Sequence, residues 1–180
     1  MLSLKKANFD DIDEEFRFIS SVPYDENGFI NEWAGIKRED FREKCLTVMA
    51  DNEKGIGLPE GYVPETSYFL WNDEQIIGWY RIRHYLCESL VNGSGHIGQY
   101  ISPQFRGKGY GTKGLSLALR KAVKIIPENE VYLRAHRDNL PSIRTMLGND
   151  GYIHHEDDTN VYVRIPCESI KQSILSLPEN

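Results

Sequence analysis

A glycine-rich turn near the middle of the chain limits the fold more than any other feature of the sequence. The strand-like segment 96–102 ends at Pro103, and a helical pattern of apolar residues over about 110–125 stops at Pro127. Three glycines lie between the two patterns: Gly107, Gly109 and Gly111. A glycine turn that leads into a helix directs backbone N–H groups and the positive end of the helix dipole towards an anion. The sequence therefore predicts a strand–turn–helix unit that binds phosphate groups.

The composition predicts one globular domain over residues 1–180. A chain of 180 residues with 40% apolar residues is long enough to bury a single hydrophobic core. The net charge of −6 argues against nucleic acid or an anionic membrane as the partner, because both bind basic surfaces. The segment 104–124 is nevertheless cationic, with basic residues at Arg106, Lys108, Lys113, Arg120, Lys121 and Lys124. Such a segment suits a phosphorylated small molecule.

The sequence also bears on compartment and on metal binding. The first residues become acidic too soon for a signal peptide, and no apolar run approaches the ~20 residues that cross a bilayer. We therefore expect a cytoplasmic protein. Cys45, Cys87 and Cys167 are far apart and form no CxxC motif, so we expect neither disulfides nor a bound metal.

Apolar periodicity predicts an α/β protein with a mixed sheet flanked by helices. The predicted helices are about 10–20, a second helix that ends at Gly55, 110–125, and a short helix after Asn139. The predicted strands are an initial short strand, 66–71, 75–85, 96–102, 130–136, 152–155 and 161–165. Phe41, Cys45 and Val48 are expected to share one face of the second helix. An antiparallel hairpin combined with β-α-β connections indicates the mixed sheet.

The C-terminal segment carries a further apolar pattern. Ile170, Ile174 and Leu177 recur at helical spacing. This face is expected to pack either on the domain or on a second subunit of a homodimer, and the sequence does not choose between these arrangements.

Three phosphate-binding motifs compete for the glycine turn. A Walker loop requires Gly-Lys-Ser/Thr at a fixed spacing, which residues 107–114 do not provide. Gly109, Gly111 and Gly114 satisfy the dinucleotide pattern GxGxxG, but that fold continues with several βα units and only one strand–helix pair follows here. The third pattern is Gln/Arg-x-x-Gly-x-Gly, which both Gln104 and Arg106 begin.

The third pattern resembles motif A of the GNAT (Gcn5-related N-acetyltransferase) family. The resembling segments are QYISPQFRGKGYGTKG and the later strand and helix RAHRDNLPSIRTMLGNDGY, within about 66–165. The local sequence is also similar to bacterial GNAT proteins known only as predicted acetyltransferases. The resemblance implies a GNAT-like acyl-CoA N-acyltransferase fold, with acetyl-CoA as the co-substrate.

The resemblance also implies a set of cofactor-binding residues. Backbone groups of Tyr100 and Ile101 are expected to pair with the pantetheine arm. The pyrophosphate is expected to be bound by the amides of Arg106, Gly107, Lys108, Gly109, Tyr110, Gly111 and Thr112. Asn139 and Ser142 match a position that touches the coenzyme arm in many family members. Asn139 also precedes an apolar helical stripe, so it is equally well interpreted as a helix N-cap.

The expected chemistry is direct attack of an amine on the thioester, with the backbone N–H of Ile101 facing the oxyanion. Many family members use a helix tyrosine as general acid, but the matching position here is Met146. The alternatives are that Tyr152 or Ser142 substitutes for it, or that the thiolate leaves unaided. A strand carboxylate that some members use as base has no equivalent in 96–102. His84 and Glu88 are therefore the candidate bases, although a strand-end histidine and a loop glutamate are more often structural or solvated.

The leading functional hypothesis is an N-acetyltransferase that acts on a primary amine of a small molecule or protein. The acceptor is expected between the two N-terminal helices and the loop 86–95, and the acidic stretch 10–15 favours a cationic one. Acidic residues are also what a helix N-terminus prefers. The alternatives are a non-catalytic acyl-CoA sensor, which the missing acid and base support, and a nucleotide-dependent oxidoreductase.

Overall fold

The computed structural model of the protein describes residues 1–176. The strands are β1 (Leu2–Lys6), β2 (Asp25–Glu26), β3 (Phe29–Ile30), β4 (Glu65–Asn72), β5 (Gln75–Arg83), β6 (Ile97–Ile101), β7 (Glu130–His136), β8 (Tyr152–Glu156) and β9 (Asn160–Pro166). The helices are α1 (Ile12–Ser21), α2 (Arg38–Phe41), α3 (Thr47–Lys54), α4 (Glu88–Val91), α5 (Tyr110–Ala122), α6 (Leu140–Leu147) and α7 (Cys167–Leu175). A π-helical segment, Arg42–Leu46, joins α2 to α3, and Pro103–Phe105 forms one 3₁₀ turn.

Two antiparallel sheets form the centre of the molecule. The first has the strand order β1-β4-β5-β6, and the second has the order β7-β9-β8. Helix α5 connects β6 to β7, and the two sheets meet at a bridge between Gly95 and Leu133. Helices cover the sheets, so the α/β fold class expected from the sequence is confirmed.

The first sheet carries a hydrophobic core on each face. Helix α5 packs on one face through Leu115, Ala118 and Leu119, against Tyr80 and other buried residues. The opposite face packs against α1, the α2–α3 region and β3, with Trp79 fully buried at its centre. Along each strand, side chains therefore alternate between the face that packs on α5, called the α5 face, and the opposite face, called the N-terminal face. The N-terminal face is covered by helices and a hairpin strand from the first 54 residues of the chain.

Gly114 allows α5 to approach the first sheet closely. A Cβ atom at this position would overlap the Tyr80 hydroxyl and approach Leu70 Cδ2 to 2.8 Å. The Tyr80 hydroxyl donates to the Gly111 carbonyl at 3.3 Å, which fixes the first turn of α5 against β5. The glycine turn is thereby held at the carboxyl end of β6.

The second predicted helix differs from expectation in its buried face. Phe41 and Cys45 are fully buried, but Val48 is 38% exposed and Met49 is 4% exposed. The π-helical segment adds one residue to its turn of helix. The next buried position of the helix is therefore Met49, and Val48 faces outwards. The prediction that Val48 shares this face is therefore wrong.

Two small elements lie in segments that were predicted as loops. Strands β2 and β3 form a two-residue hairpin, and α4 is one helical turn. At the C-terminal end, α7 contacts α5 and β9, with Ile170 buried and Ile174 packed against the core. Leu177, the third residue of that predicted stripe, lies outside the described residues. Within residues 1–176, every helix is too short or too polar to cross a membrane.

Candidate active site

A cleft of about 540 Å³ lies between the two sheets, along β6 and β7. One end is formed by the glycine turn and the start of α6, and the other by β5 and β7. The β2–β3 hairpin also lines the cleft and reaches Arg106 of the glycine turn through Glu26. The cleft begins where β6 and β7 separate, beyond the Gly95–Leu133 bridge. Strands that separate in this way leave backbone groups of β6 unpaired along one edge.

The glycine turn presents unpaired amides to the cleft. Gly107 and Gly109 have φ of +72° and +79°, a left-handed conformation that glycine adopts without strain, and a Cβ at either position would meet open space. The first hydrogen bond of helix α5 runs from the Lys113 N–H to the Gly109 carbonyl. The amides of Tyr110, Gly111 and Thr112 precede this bond and therefore have no partner within the helix. A pyrophosphate therefore has both room and hydrogen-bond donors at this turn.

The first of the amides expected to bind the pyrophosphate, that of Arg106, is not available. The Arg106 N–H donates to the Pro103 carbonyl at 3.2 Å and is therefore occupied. The Arg106 side chain instead joins the turn to its surroundings, because its Nε donates to the Ile101 carbonyl at 2.8 Å and its Nη1 forms an ion pair with Glu26. Its guanidinium also lies 5.5 Å from the centre of the Tyr100 ring.

Two other residues of the turn point away from the cleft lining. Lys108 Nζ donates to the Gln104 carbonyl at 2.9 Å, and the Tyr110 ring packs edge-on against Phe105. Their expected contribution therefore rests on their backbone amides. Gly107, Gly109, Gly111 and Thr112 all line the cleft.

The register of β6 decides which of its backbone groups face the cleft. Ser102 donates to the Ile77 carbonyl at 2.9 Å and Arg83 donates to the His96 carbonyl at 2.8 Å. Hydrogen-bonded pairs alternate along an antiparallel ladder, so Tyr100 is bonded to Trp79, while Gln99 and Ile101 direct their amides away from β5. The backbone pair that faces the cleft is therefore Gln99 and Ile101, and Tyr100 contributes its side chain to the lining.

Asn139 and Ser142 lie on the opposite wall of the cleft. The Asn139 side chain accepts a hydrogen bond from the Ser142 N–H at 3.2 Å, which makes it the N-cap of α6. The Ser142 hydroxyl accepts from Gln99 Nε2 at 3.2 Å, so a polar contact joins β6 to α6 across the cleft. Gln99 Oε1 is buried without a partner within residues 1–176, and it is the polar group that sequence analysis missed.

Three of the expected acid and base residues lie outside the cleft lining. His84 Nε2 lies 2.8 Å from the Thr66 hydroxyl, and burial lowers the pKa of the imidazole. Glu88 is exposed at the start of α4. The Tyr152 hydroxyl donates to Glu130 Oε1 at 2.8 Å on the exposed strand β8, and this hydrogen bond raises the pKa of the phenol. The catalytic roles expected for these three side chains have no support from the cleft geometry.

The histidine that lines the cleft is His136, at the end of β7. It ends the strand predicted over 130–136. Met146, at the position of the family's helix tyrosine, is buried and also lines the cleft. A thioether has no proton to donate. Of the two hydroxyls expected to replace the helix tyrosine, Ser142 lines the cleft, and His136 and Glu26 are further side chains of the lining that can exchange a proton.

Four of the five acidic residues of 10–15 are paired or buried elsewhere. Asp11 is paired with Lys5, Asp13 with Arg38 and Glu14 with Arg17. Glu15 is completely buried in the core of the N-terminal face, where desolvation raises its pKa to about 8. These side chains do not line the cleft, so the reason for expecting a cationic acceptor is not supported.

Comparisons with known proteins agree with this geometry. The sequence model of the Acetyltransferase (GNAT) family matches residues 26–148, more than half of the chain. No curated protein matches the chain by sequence.

Several solved structures share the fold at low sequence identity. Mutant forms of the spermidine/spermine N-acetyltransferase SpeG from Vibrio cholerae are 14% identical, with 96% of this chain and 99% of that chain covered and a TM-score of 0.64. The aminoglycoside acetyltransferase AAC(6')-Ib in complex with coenzyme A is 14% identical, with 97% of this chain and 99% of that chain covered and a TM-score of 0.61. The Campylobacter jejuni N-acetyltransferase PseH in complex with acetyl coenzyme A is 19% identical, with 92% of this chain and 99% of that chain covered and a TM-score of 0.53.

Proposed function

Because the chain belongs to the GNAT acetyltransferase family, we propose that it transfers the acetyl group of acetyl-CoA to a primary amine of a small molecule or protein by direct attack. The observation that carries this proposal is the cleft itself. Its floor is the free edge of β6, and its end is a glycine turn with unpaired amides. A long ligand with a pyrophosphate and a neutral arm fits both features.

The proposal assigns the coenzyme to three parts of the cleft. The amides from Gly107 to Thr112 bind the pyrophosphate, aided by the dipole of α5. The free edge of β6 at Gln99 and Ile101 lies beside the acyl end of the pantetheine arm, with the Ile101 N–H facing the thioester. Ser142 and Asn139 line the opposite wall and limit the width of the channel.

The chemistry requires little from side chains. The amine nitrogen attacks the thioester carbonyl carbon, the C–N bond forms and the C–S bond breaks. The proton that the amine nitrogen loses balances the one that the departing thiolate takes. A backbone N–H that faces the cleft, at Ile101, stabilises the oxyanion. We assign His136 as the group that takes the amine proton, directly or through water, because it is the histidine of the cleft lining.

The solved structures of similar fold support an amine as the acceptor. Their names describe acetylation of spermidine, spermine and aminoglycosides by those proteins. The shared fold does not select one of these acceptors for this chain, because structures that are 14% identical to it share the fold alone.

The test is release of the coenzyme thiol from acetyl-CoA in the presence of a panel of primary amines, with the product identified by mass. Amine-dependent release, together with an acetylated product, is the expected result. Binding of acetyl-CoA without release for any amine would favour the acyl-CoA sensor instead. Failure to bind acetyl-CoA would overturn both assignments.

A further inference from the structure

The end of the cleft remote from the glycine turn is strongly cationic. Five arginines line the cleft, namely Arg81, Arg83, Arg106, Arg134 and Arg144, and the lining contains one carboxylate, Glu26. Glu26 forms an ion pair with Arg106. Arg144 lies on α6, which contacts α5 next to the glycine turn. Arg81, Arg83 and Arg134 remain at the other end, beyond the part of the cleft assigned to the coenzyme.

Arg81 and Arg83 lie on the N-terminal face of the first sheet, because they alternate with Tyr80 and Ile82, which point into the α5 core. Arg134 lies on the second sheet and alternates with Leu133 and Ala135, which are also part of that core. Because His136 follows the same alternation, its imidazole lies on the same face of β7 as Arg134. All four residues line the cleft.

Arg81 is held in position without an anionic partner. Its guanidinium lies 4.4 Å from the ring centre of Phe29 and 5.4 Å from that of Trp79. Its Nε is buried and has no hydrogen-bond partner within residues 1–176. Stacking on aromatic rings orients a guanidinium and leaves its N–H edge available for a bidentate contact with a carboxylate or phosphate.

The neighbouring arginines add to the positive charge. Arg134 forms no ion pair within residues 1–176. Arg83 Nη1 donates to the Gly95 carbonyl at 3.0 Å, and its Nε lies 3.7 Å from Glu65. Desolvation by burial lowers the pKa of Arg83. A positively charged acceptor group would be repelled here, whereas an anion would supply the missing partner.

Gly98 marks the position of Arg81 along β6. It lies opposite Arg81 in the β5–β6 ladder, and a Cβ there would contact Phe29 Cε2 at 3.7 Å and Arg81 Nε at 3.8 Å. Ile101 is three residue positions after Gly98, which corresponds to roughly 10 Å along the strand. An anionic group bound to Arg81 is therefore within reach of a small molecule whose amine lies at the thioester.

We propose that the acceptor is a small primary amine that also carries a carboxylate or phosphate group, bound by Arg81 and Arg134. This inference rests on the proposed acetyltransferase function. It differs from what the fold relatives are named for, since spermidine is a polycation. The net charge of −6 does not attract an anion over long range, so the local arginines have to provide the recognition.

The test compares acceptors with and without the anion, at equal concentrations of the neutral amine. Glucosamine 6-phosphate is compared with glucosamine, and glycine with glycinamide, while spermidine serves as the cationic acceptor. In at least one pair, we expect kcat/KM for the anionic acceptor to exceed that for the neutral acceptor by about tenfold or more. The pair that shows this preference tells whether the site binds a phosphate or a carboxylate. A preference for the neutral members or for spermidine would overturn the inference while leaving the acetyltransferase function intact.

Two variants separate recognition from folding. Arg81→Gln should remove most of the preference for the anionic member, mainly through KM, and leave the affinity for acetyl-CoA unchanged. Arg17→Gln is the matched control, because Arg17 is an exposed arginine of α1 that pairs with Glu14. An unchanged preference in Arg81→Gln would also contradict the inference.

A binding measurement extends the test to conditions without turnover. In the presence of CoA, glucosamine 6-phosphate or glycine should raise the melting midpoint more than its neutral partner does, and Arg81→Gln should abolish the difference. Equal shifts for both members of each pair would overturn the inference. Failure of acetyl-CoA and CoA themselves to bind would instead contradict the proposed function.

Discussion

The backbone N–H of Ile101 is the donor on which the proposed chemistry depends most. The alternation along β6 directs this N–H away from β5, while the Ile101 carbonyl is already occupied by Arg106 Nε at 2.8 Å. The donor is therefore fixed by the backbone and is not supplied by a mobile side chain. Preorganised donors of this type are worth most where water is excluded.

Ile101→Pro should remove the donor while leaving the β5–β6 ladder intact, since the lost N–H does not pair with β5. We expect kcat for amine acetylation to fall by about 10²–10³, the cost of one oxyanion donor in other enzymes. Ile101→Val retains the N–H and serves as the control. Equal activity of the two variants in the thiol-release measurement would exclude a role for this amide.

Glu15 is a buried carboxyl whose ionisation opposes folding. The side chain is completely buried, and only its Oε1 is hydrogen-bonded, to the Asn8 N–H at 3.0 Å. Burial raises its pKa from 4.5 to about 8, so the folded protein keeps this proton at neutral pH. The unfolded chain releases the proton above pH 4.5 and therefore binds fewer protons than the folded state.

The free energy of unfolding should consequently fall as pH rises from about 5 to 8, by on the order of 1.4 kcal/mol per pH unit from this group. Glu15→Gln should remove this contribution, so that the variant gains stability over the wild type as pH increases. Urea unfolding at several pH values measures the slope. Glu39→Gln, which changes an exposed carboxylate, should keep the wild-type slope, and the same slope in Glu15→Gln would refute the assignment.

At the scale of the elements, local pattern predicted the long helices and strands well. The strand 130–136 and the N-cap at Asn139 agree with the structure, because alternation and capping depend on neighbouring residues only. The β2–β3 hairpin and α4 were not predicted, since elements of two to four residues are stabilised by tertiary contacts. The positions of His84 and Tyr152 relative to the cleft depend on how the two sheets separate, which sequence spacing does not encode.

The π-helical segment before α3 leads to a testable difference between adjacent residues. Met49 is 4% exposed and packs in the core of the N-terminal face, whereas Val48 is 38% exposed. Met49→Ala should lower the free energy of unfolding by about 2–5 kcal/mol, and Val48→Ala by less than about 1 kcal/mol. Urea denaturation measures both. The reverse order would mean that an uninterrupted α-helix covers this region.

At the scale of the whole molecule, an acidic protein contains a basic cleft. The formal charge is −6, yet five of the lining residues of the cleft are arginines. The charge of the chain as a whole therefore does not describe its ligand. The cationic segment 104–124 indicated the phosphate end of the cleft from sequence, but Arg81, Arg83 and Arg134 belong to separate strands and come together only in the fold.

The central claim is that the cleft between β6 and β7 binds acetyl-CoA through the glycine turn. Thermal melting of the full chain with acetyl-CoA, NADH or ATP, each tested separately, measures this most directly. Acetyl-CoA at ~100 times its dissociation constant contributes about 2.7 kcal/mol, which should raise the midpoint by roughly 5–11 °C.

Two glycine variants make the measurement specific to the cleft. Gly109 and Gly61 have similar φ values of +79° and +82° and open surroundings, so alanine strains the backbone similarly at both positions. Gly61→Ala should retain the shift that acetyl-CoA causes, and Gly109→Ala should reduce it, because the added Cβ occupies the space of the pyrophosphate. A midpoint that rises with NADH or ATP alone, or an equal acetyl-CoA shift in both variants, would contradict the claim.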